Sequence, residues 1–246
     1  MKSKFITIIS CIFMLSLVGC KQNPTGNLAV SDQVVLLEEI EETNDDIPLS
    51  NPSDQESSER NEYPDFIVEA QNTNSDVIGW IKIPNTQINY PLVVTDNNDY
   101  YIDHNVEKKE SKSGAIFLDY RNRDTYARRH LIIYGHNMKN GSMFKDLNAF
   151  KDKTFFDNNK IFSLWIFGEE RTYEIYSQFI ITEDVNYLVT DFTSDKEYLN
   201  FINTLSTQSK FLVNHEFTSE DEILTLSTCT YEYDKSRCVI QARRIV

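Results

Sequence analysis

Apolar positions along this chain come in three textures. Near the start they run together, from Phe5 to Leu17, behind two lysines and ahead of the small-residue stretch Leu17-Val18-Gly19-Cys20. From Lys21 to about Glu62 they thin out among acidic and polar residues, and from Tyr63 to Val246 they recur in short bursts separated by polar turns. Those bursts read as eight strands: DVIGWIKI, INYPLVVT, GAIFLDY, HLIIYGH, KIFSLWIF, RTYEIYSQFIIT, EILTLSTC and CVIQARRIV. Three stretches are spaced for helices instead. NEYPDFIVEAQNTN has a proline near its start, GSMFKDLNAF follows, and TSDKEYLNFINTLSTQS lines up Tyr198, Phe201, Ile202 and Leu205 behind Thr193 or Ser194 as cap. Many short strands, few helices and no internal repeat predict a mainly antiparallel barrel or sandwich over an alternating βαβ fold.

The first texture has the layout of a secretory signal, and its apolar run is shorter than the about 20 residues that span a bilayer. Leu17-Val18-Gly19-Cys20 also resembles the lipobox of bacterial lipoproteins, which implies a diacylglycerol on Cys20. A plain signal-anchor with an incidental cysteine is the alternative. Residues 21–62, with the run EEIEETNDD, read as an acidic flexible leash whose composition cannot bury enough surface to fold alone. Within it SDQVVLLEEIEE can form a short amphipathic helix, with Ser31 or Asp32 as cap and Val34, Val35, Leu37 and Ile40 on one side. The resulting division is 1–20 signal, 21–62 leash and 63–246 folded domain, the last working outside the cytoplasmic membrane.

Composition narrows the chemistry. With 246 residues, 40% of them hydrophobic, the chain can bury one sizeable core. A formal net charge of -14 argues against a nucleic-acid partner, because phosphate binding needs clustered lysine and arginine. Four cysteines, Cys11, Cys20, Cys229 and Cys238, are too few and too uneven for a disulfide scaffold, and no CxxC pair suggests zinc. No metal or other cofactor is expected.

Cys229 ends the strand ILTLSTC between Thr228 and Thr230, a polar strand end that suits a nucleophile better than a buried small hydrophobe. Only the thiolate attacks, so the sulfur needs a base or an electropositive setting. His104, His215 and His130 read as solvated surface residues. His136 follows the apolar run LIIYG and opens a turn, with Gly135 allowing a close backbone approach, and is either a loop histidine or the base. Arg237 starts the next strand, so antiparallel pairing would set it beside Cys229, where its fork could stabilise an oxyanion; a surface ion pair with Glu232 or Asp234 is the other reading. Alternation puts Cys238 on the opposite face, toward the core and unpaired with Cys229.

TLSTC followed by an arginine at the next strand, with YGHN upstream, resembles the sortase transpeptidases of Gram-positive cell surfaces. GWIKIPNTQINYPLV, FLDYRN and IIYGHNMKNGSMFKDL are similar to class B sortases in particular, over roughly Tyr63 to Val246. The resemblance implies an eight-stranded β-barrel with an N-terminal helix and a further helix between strands six and seven. It implies Cys229 as nucleophile, His136 as general acid and base, and Arg237 as the residue that binds the sorting peptide and stabilises the oxyanion. It sets Ser227, Thr228 and Asn137 along the peptide groove, with Leu226 supporting that strand from its apolar side. The partners implied are the sorting-signal peptide of an exported protein and an amine of the peptidoglycan cross-bridge or a similar acceptor, with the enzyme held at the membrane by its N-terminus. An acidic residue that some relatives carry two places after the cysteine is replaced here by Tyr231, with Glu232 next; neither is assigned to catalysis. A cysteine peptidase using the same residues and a non-catalytic envelope lipoprotein are the alternatives.

Overall fold

The computed structural model describes residues 63–124, 129–181, 186–211, 215–229 and 236–246. The signal, lipobox with Cys20 and leash of residues 1–62, and Tyr231, Glu232 and Asp234, lie outside the described residues.

Eight strands close into a barrel. They are β1 (Val77–Lys82), β2 (Asn89–Val93), β3 (Ile116–Leu118), β4 (His130–Tyr134), β5 (Ile161–Ile166), β6 (Glu169–Ile181), β7 (Ile223–Cys229) and β8 (Arg237–Arg244). Around the barrel they run β1-β2-β3-β4-β7-β8-β6-β5, and β5 pairs back onto β1. Pairing is antiparallel except at two seams, β2 with β3 and β4 with β7, where it is parallel. The expected barrel is therefore present, with a mixed sheet. Closure matters because an open sheet of this size would leave two edges of unpaired backbone groups.

Alternation puts one side of each strand inside. Ile81, Leu92, Ile133, Leu164, Leu226 and Ile240 fill the interior, joined from one end by Phe144, Leu147 and Phe150. Those three phenylalanine and leucine side chains come from Phe144–Lys151, a 3-10 helix where the spacing of GSMFKDLNAF suggested an ordinary helix. A helix not foreseen follows it: α2, Lys153–Asn158, starts where the Asp152 carboxylate accepts from the Phe155 N–H at 2.8 Å. Six residues are too few for a periodic signal. Gly79 is required on β1, since a Cβ there would sit 1.9 Å from the Trp165 carbonyl oxygen.

Two helices cover the outside, one preceding the barrel strands, as expected, and one between β6 and β7, also as expected. The first, α1, is Asp65–Thr73, begun by Pro64, and it buries Ile67 against Val77, Val93 and Phe117. The other, α3 (Asp195–Ser206), is capped by the Ser194 hydroxyl accepting from the Glu197 N–H at 3.2 Å, with the Glu197 carboxylate accepting in return from the Thr193 N–H at 2.8 Å. Its Tyr198, Ile202 and Leu205 bury against the outer faces of β6, β7 and β8. Among the described residues no helix is long and apolar enough to cross a membrane.

His130 corrects an expectation. It is fully buried under α3 and not solvated, because the strand pattern that made HLIIY apolar continues beneath Phe201, whose ring lies 5.1 Å from the imidazole. His130 Nδ1 donates to the Val189 carbonyl at 2.6 Å, so Nε2 accepts from the Thr225 hydroxyl at 2.7 Å. His104, stacked on Tyr100, and His215, beside Tyr176, are half-buried.

Burial pushes the His130 imidazole down to about 4, with the Val189 carbonyl and the Asp119 charge restoring part of the loss. An unfolded histidine titrates at about 6.5. The unfolded chain thus holds the proton more readily between those values, so the contribution of neutral His130 is complete above the unfolded value and is lost as pH falls toward the folded one. The cost of His130→Gln measured by urea unfolding is expected to shrink by about 2 kcal/mol between pH 7 and pH 5. A cost independent of pH would contradict a neutral buried ring.

Candidate active site

The parallel seam decides what meets at one rim. Strands β4 and β7 run side by side in register from His130 opposite Ile223 to Tyr134 opposite Ser227. Their C-terminal ends emerge together, and β8, antiparallel to β7, begins there, with Arg237 directly across from Cys229. Cross-strand neighbours at such a pair lie about 5 Å apart and on the same face.

Just past β4 the Gly135 N–H donates to the Ser227 carbonyl at 3.2 Å, continuing the seam by one residue. The next residue is His136. Its carbonyl accepts from the Phe144 N–H at 2.8 Å, and Asn137 bridges Met143, which closes a turn over residues 137–143. The Asn137 amide donates to the Cys229 carbonyl at 2.8 Å, tying the histidine turn to the end of β7. Gly135 admits no larger residue without rearrangement: a Cβ would come within 2.4 Å of Ile116 Cδ1 and 2.8 Å of the Phe144 ring.

The imidazole of His136 is held from the other wall, where its Nε2 donates to the Ile102 carbonyl at 2.7 Å. Ile102 ends the 3-10 helix Tyr100–Ile102, anchored by buried Tyr101, whose hydroxyl donates to Asp76 at 2.8 Å and accepts from the Asn74 amide at 2.7 Å. Between these walls is a cleft of about 210 Å³ lined by Ile102, Phe117, Tyr134, Gly135, His136, Ser227, Thr228, Cys229 and Arg237. Cys229, His136 and Arg237 are half-buried, so the sulfur is reachable from solvent. Cys238 is buried in the core, as its strand position implied, and forms no disulfide among the described residues.

Of the residues that the resemblance assigned to the groove and its support, Ser227 and Thr228 line the cleft; the Thr228 hydroxyl is buried and makes no hydrogen bond among the described residues. Leu226 and Asn137 do not line it. Leu226 points the other way along the alternating strand, into the barrel interior, which is the supporting role its apolar side chain suggested and not substrate contact. Asn137 is a buried tether, its amide spent on the Cys229 backbone.

The structure adds residues that the sequence did not single out. Tyr187 is buried and shares a hydrogen bond with the Ser227 hydroxyl at 2.9 Å. Burial raises its own hydroxyl while the Ser227 hydrogen bond and the Arg237 charge oppose the rise, which puts the ring in the field of the cleft. Tyr134 donates to the Asp119 carboxylate at 2.8 Å, and Arg121 grips the same carboxylate through Nε at 2.8 Å and Nη2 at 2.7 Å. Burial alone would push the Asp119 carboxyl up, but Arg121 and Tyr134 hold it below the usual range. A fixed anion therefore stands behind the cleft wall. The signal for it was in FLDYRN, where an acid and an arginine two apart flank an apolar strand end.

Comparison with known proteins agrees with this geometry. The Sortase domain family matches residues 81–245. Sortase B of Listeria monocytogenes is 37% identical over 186 residues, spanning 75% of this chain and 76% of that one. Among solved structures, sortase B of Clostridium perfringens superposes with a TM-score of 0.69 at 34% identity, covering 73% of this chain and 99% of that one. A Staphylococcus aureus sortase B–substrate complex superposes with a TM-score of 0.68 at 29% identity, covering 73% and 84%.

Gly135→Ala is expected to lower stability by about 1–3 kcal/mol, since the added methyl must displace the Phe144 ring or the Ile116 side chain. Urea unfolding measures it, and an unchanged midpoint would contradict the crowding.

Proposed function

This chain belongs to the sortase family, and from that premise we propose that its cleft performs cysteine transpeptidation with Cys229, His136 and Arg237 as the catalytic residues. The thiolate of Cys229 attacks the carbonyl carbon of a threonine in the C-terminal sorting signal of an exported protein. The Arg237 guanidinium, across the β7–β8 pair, donates to the oxygen that becomes negative in that attack. His136 then gives a proton to the departing amine; the C–N bond breaks and a thioester to Cys229 remains. An acceptor amine attacks the thioester, His136 takes a proton from it, sulfur leaves, and a new amide joins the two partners. One amide is exchanged for another, so no nucleotide is consumed.

One observation carries this reading: parallel β4 and β7 bring His136 and Cys229 out at the same rim, with Arg237 opposite Cys229. The imidazole also has a defined tautomer. Because Nε2–H is committed to the Ile102 carbonyl, Nδ1 is the nitrogen assigned to proton transfer. That the Staphylococcus aureus relative is solved with substrate supports a sorting peptide as the ligand. The acceptor we assign is an amine of the peptidoglycan cross-bridge. We assign the enzyme to the extracellular face of the cytoplasmic membrane, held by its N-terminus through a lipid on Cys20 or a signal-anchor.

Incubating the protein with five-residue sorting-motif peptides, with and without an amine acceptor, is expected to give a ligated product by mass spectrometry only when the amine is present. Hydrolysis alone, at a rate the amine does not alter, would mark a cysteine peptidase instead. Cys229→Ala is expected to abolish the acyl-enzyme, and Arg237→Ala to lower kcat/KM by about 10²–10³ while leaving the fold intact; a Cys229→Ala protein with parental behaviour would leave a non-catalytic envelope protein. The kcat/KM profile is expected to be bell-shaped in pH, since the sulfur must be ionised while the ring is protonated. A rate that climbs without limit in base would remove His136 from the acid role.

A further inference from the structure

The turn that carries His136 is closed by a residue in a strained conformation. Met143 has φ 59° and ψ -131°, a region that side chains with a Cβ rarely enter. Three contacts hold it there. Asn137 bridges it across the turn, Phe144 beside it donates to the His136 carbonyl at 2.8 Å, and its own N–H donates to the Tyr90 hydroxyl at 3.0 Å. The first two are internal to the turn. The third comes from β2, outside the turn, and joins burial of the Met143 side chain in the core in relating the turn to the barrel at this residue. Tyr90 is half-buried with its ring against the barrel core, and its backbone is fixed opposite Ile81 of β1.

Strain persists only where the surroundings over-determine it. Here Tyr90 and Met143 both line a cavity of about 190 Å³, so on that side there is room for the turn to relax if the hydroxyl lets go. Relaxation of Met143 would pull on both ends of the turn. One end is the Phe144 N–H bonded to His136; the other is Asn137, whose amide holds the Cys229 carbonyl at 2.8 Å. The chain of contacts thus runs from Tyr90 through Met143 to both proposed catalytic groups.

We propose that Tyr90 is a positioning residue for transpeptidation: by holding Met143 in its strained turn, its hydroxyl sets His136 against Cys229. Tyr90 touches no reacting atom in this role. The proposal rests on the assignment of His136 as acid and base, and it goes beyond that assignment by naming what aligns the ring.

The test is a double-mutant cycle on the full chain, read by ligation of a sorting-motif peptide to an amine, with His136→Ala in the same assay. Tyr90→Phe removes one oxygen and is expected to lower kcat about tenfold with the peptide KM unchanged, the signature of a misplaced catalytic group. Met143→Gly takes the same φ without strain but also empties a buried core position, so kcat is read per active site in that background, where adding Tyr90→Phe is expected to cost less than about twofold. A purely structural tyrosine would lower the thermal midpoint, leave kcat per active site unchanged, and do so equally in both backgrounds. The proposal is overturned by a Tyr90→Phe kcat within about twofold of the parent, or by equal losses in the parent and Met143→Gly backgrounds. If Tyr90→Phe alone fails to fold, the proposal is overturned, because the hydroxyl then maintains the fold and does not merely align the turn. Activity in His136→Ala would instead overturn the assignment of His136, whatever Tyr90→Phe does.

Discussion

The parallel pairing of β4 with β7 is the constraint from which the cleft follows. In an antiparallel pair, the residues after one strand and at the end of the next lie at opposite rims, and His136 could not approach Cys229. Here five consecutive register pairs, from His130 opposite Ile223 to Tyr134 opposite Ser227, bring both ends out together. Parallel neighbours need a long crossover, and the chain between β4 and β7 supplies one: it contributes the 3-10 helix that plugs the barrel, the β5–β6 hairpin that completes it and α3 that covers it. The same segment that makes the seam possible also builds most of the fold around it.

Position alone does not make a cleft rigid, and the polar groups behind its walls perform that task. Tyr134 and Arg121 converge on buried Asp119, Tyr187 meets Ser227, and Tyr101 locks the short helix that presents the Ile102 carbonyl to His136. Most of these hydrogen bonds join segments distant in sequence, and several involve a charged partner shielded from water. Such bonds are expensive to break, because the surviving partner is left buried without its mate. The strained Met143 fits the same scheme, since an unfavourable backbone conformation at the histidine turn is tolerable only inside a frame this firmly tied.

Much of this was legible from sequence, and the reasons differ by feature. Short apolar bursts between polar turns located all eight strands, and the cap at Ser194 located α3, because both signals are carried by residues close together in the chain. TLSTC, YGHN and the arginine that opens β8 marked the residues that meet in the cleft. The readings that failed did so where tertiary contact overrides local character. His130 looked solvated because two arginines precede it in the chain, yet it lies beneath Phe201 of a helix far along the sequence. The resemblance set Asn137 along the groove; its amide is turned to a backbone 92 positions away.

By itself, then, the order of residues determined the elements, the inward and outward faces of each strand, the chemistry available at the end of β7 and the segregation of Cys238 into the core. These depend on near neighbours and on the two-residue and 3.6-residue repeats of the backbone. Only the tertiary structure decided which strands run parallel, that Ile102 holds the histidine ring, that Asp119 stands behind the cleft and that Tyr90 grips Met143. Those contacts join segments whose sequence separation carries no periodic signal; they exist because closing the barrel leaves one register in which every apolar face is buried and the buried polar groups find their partners.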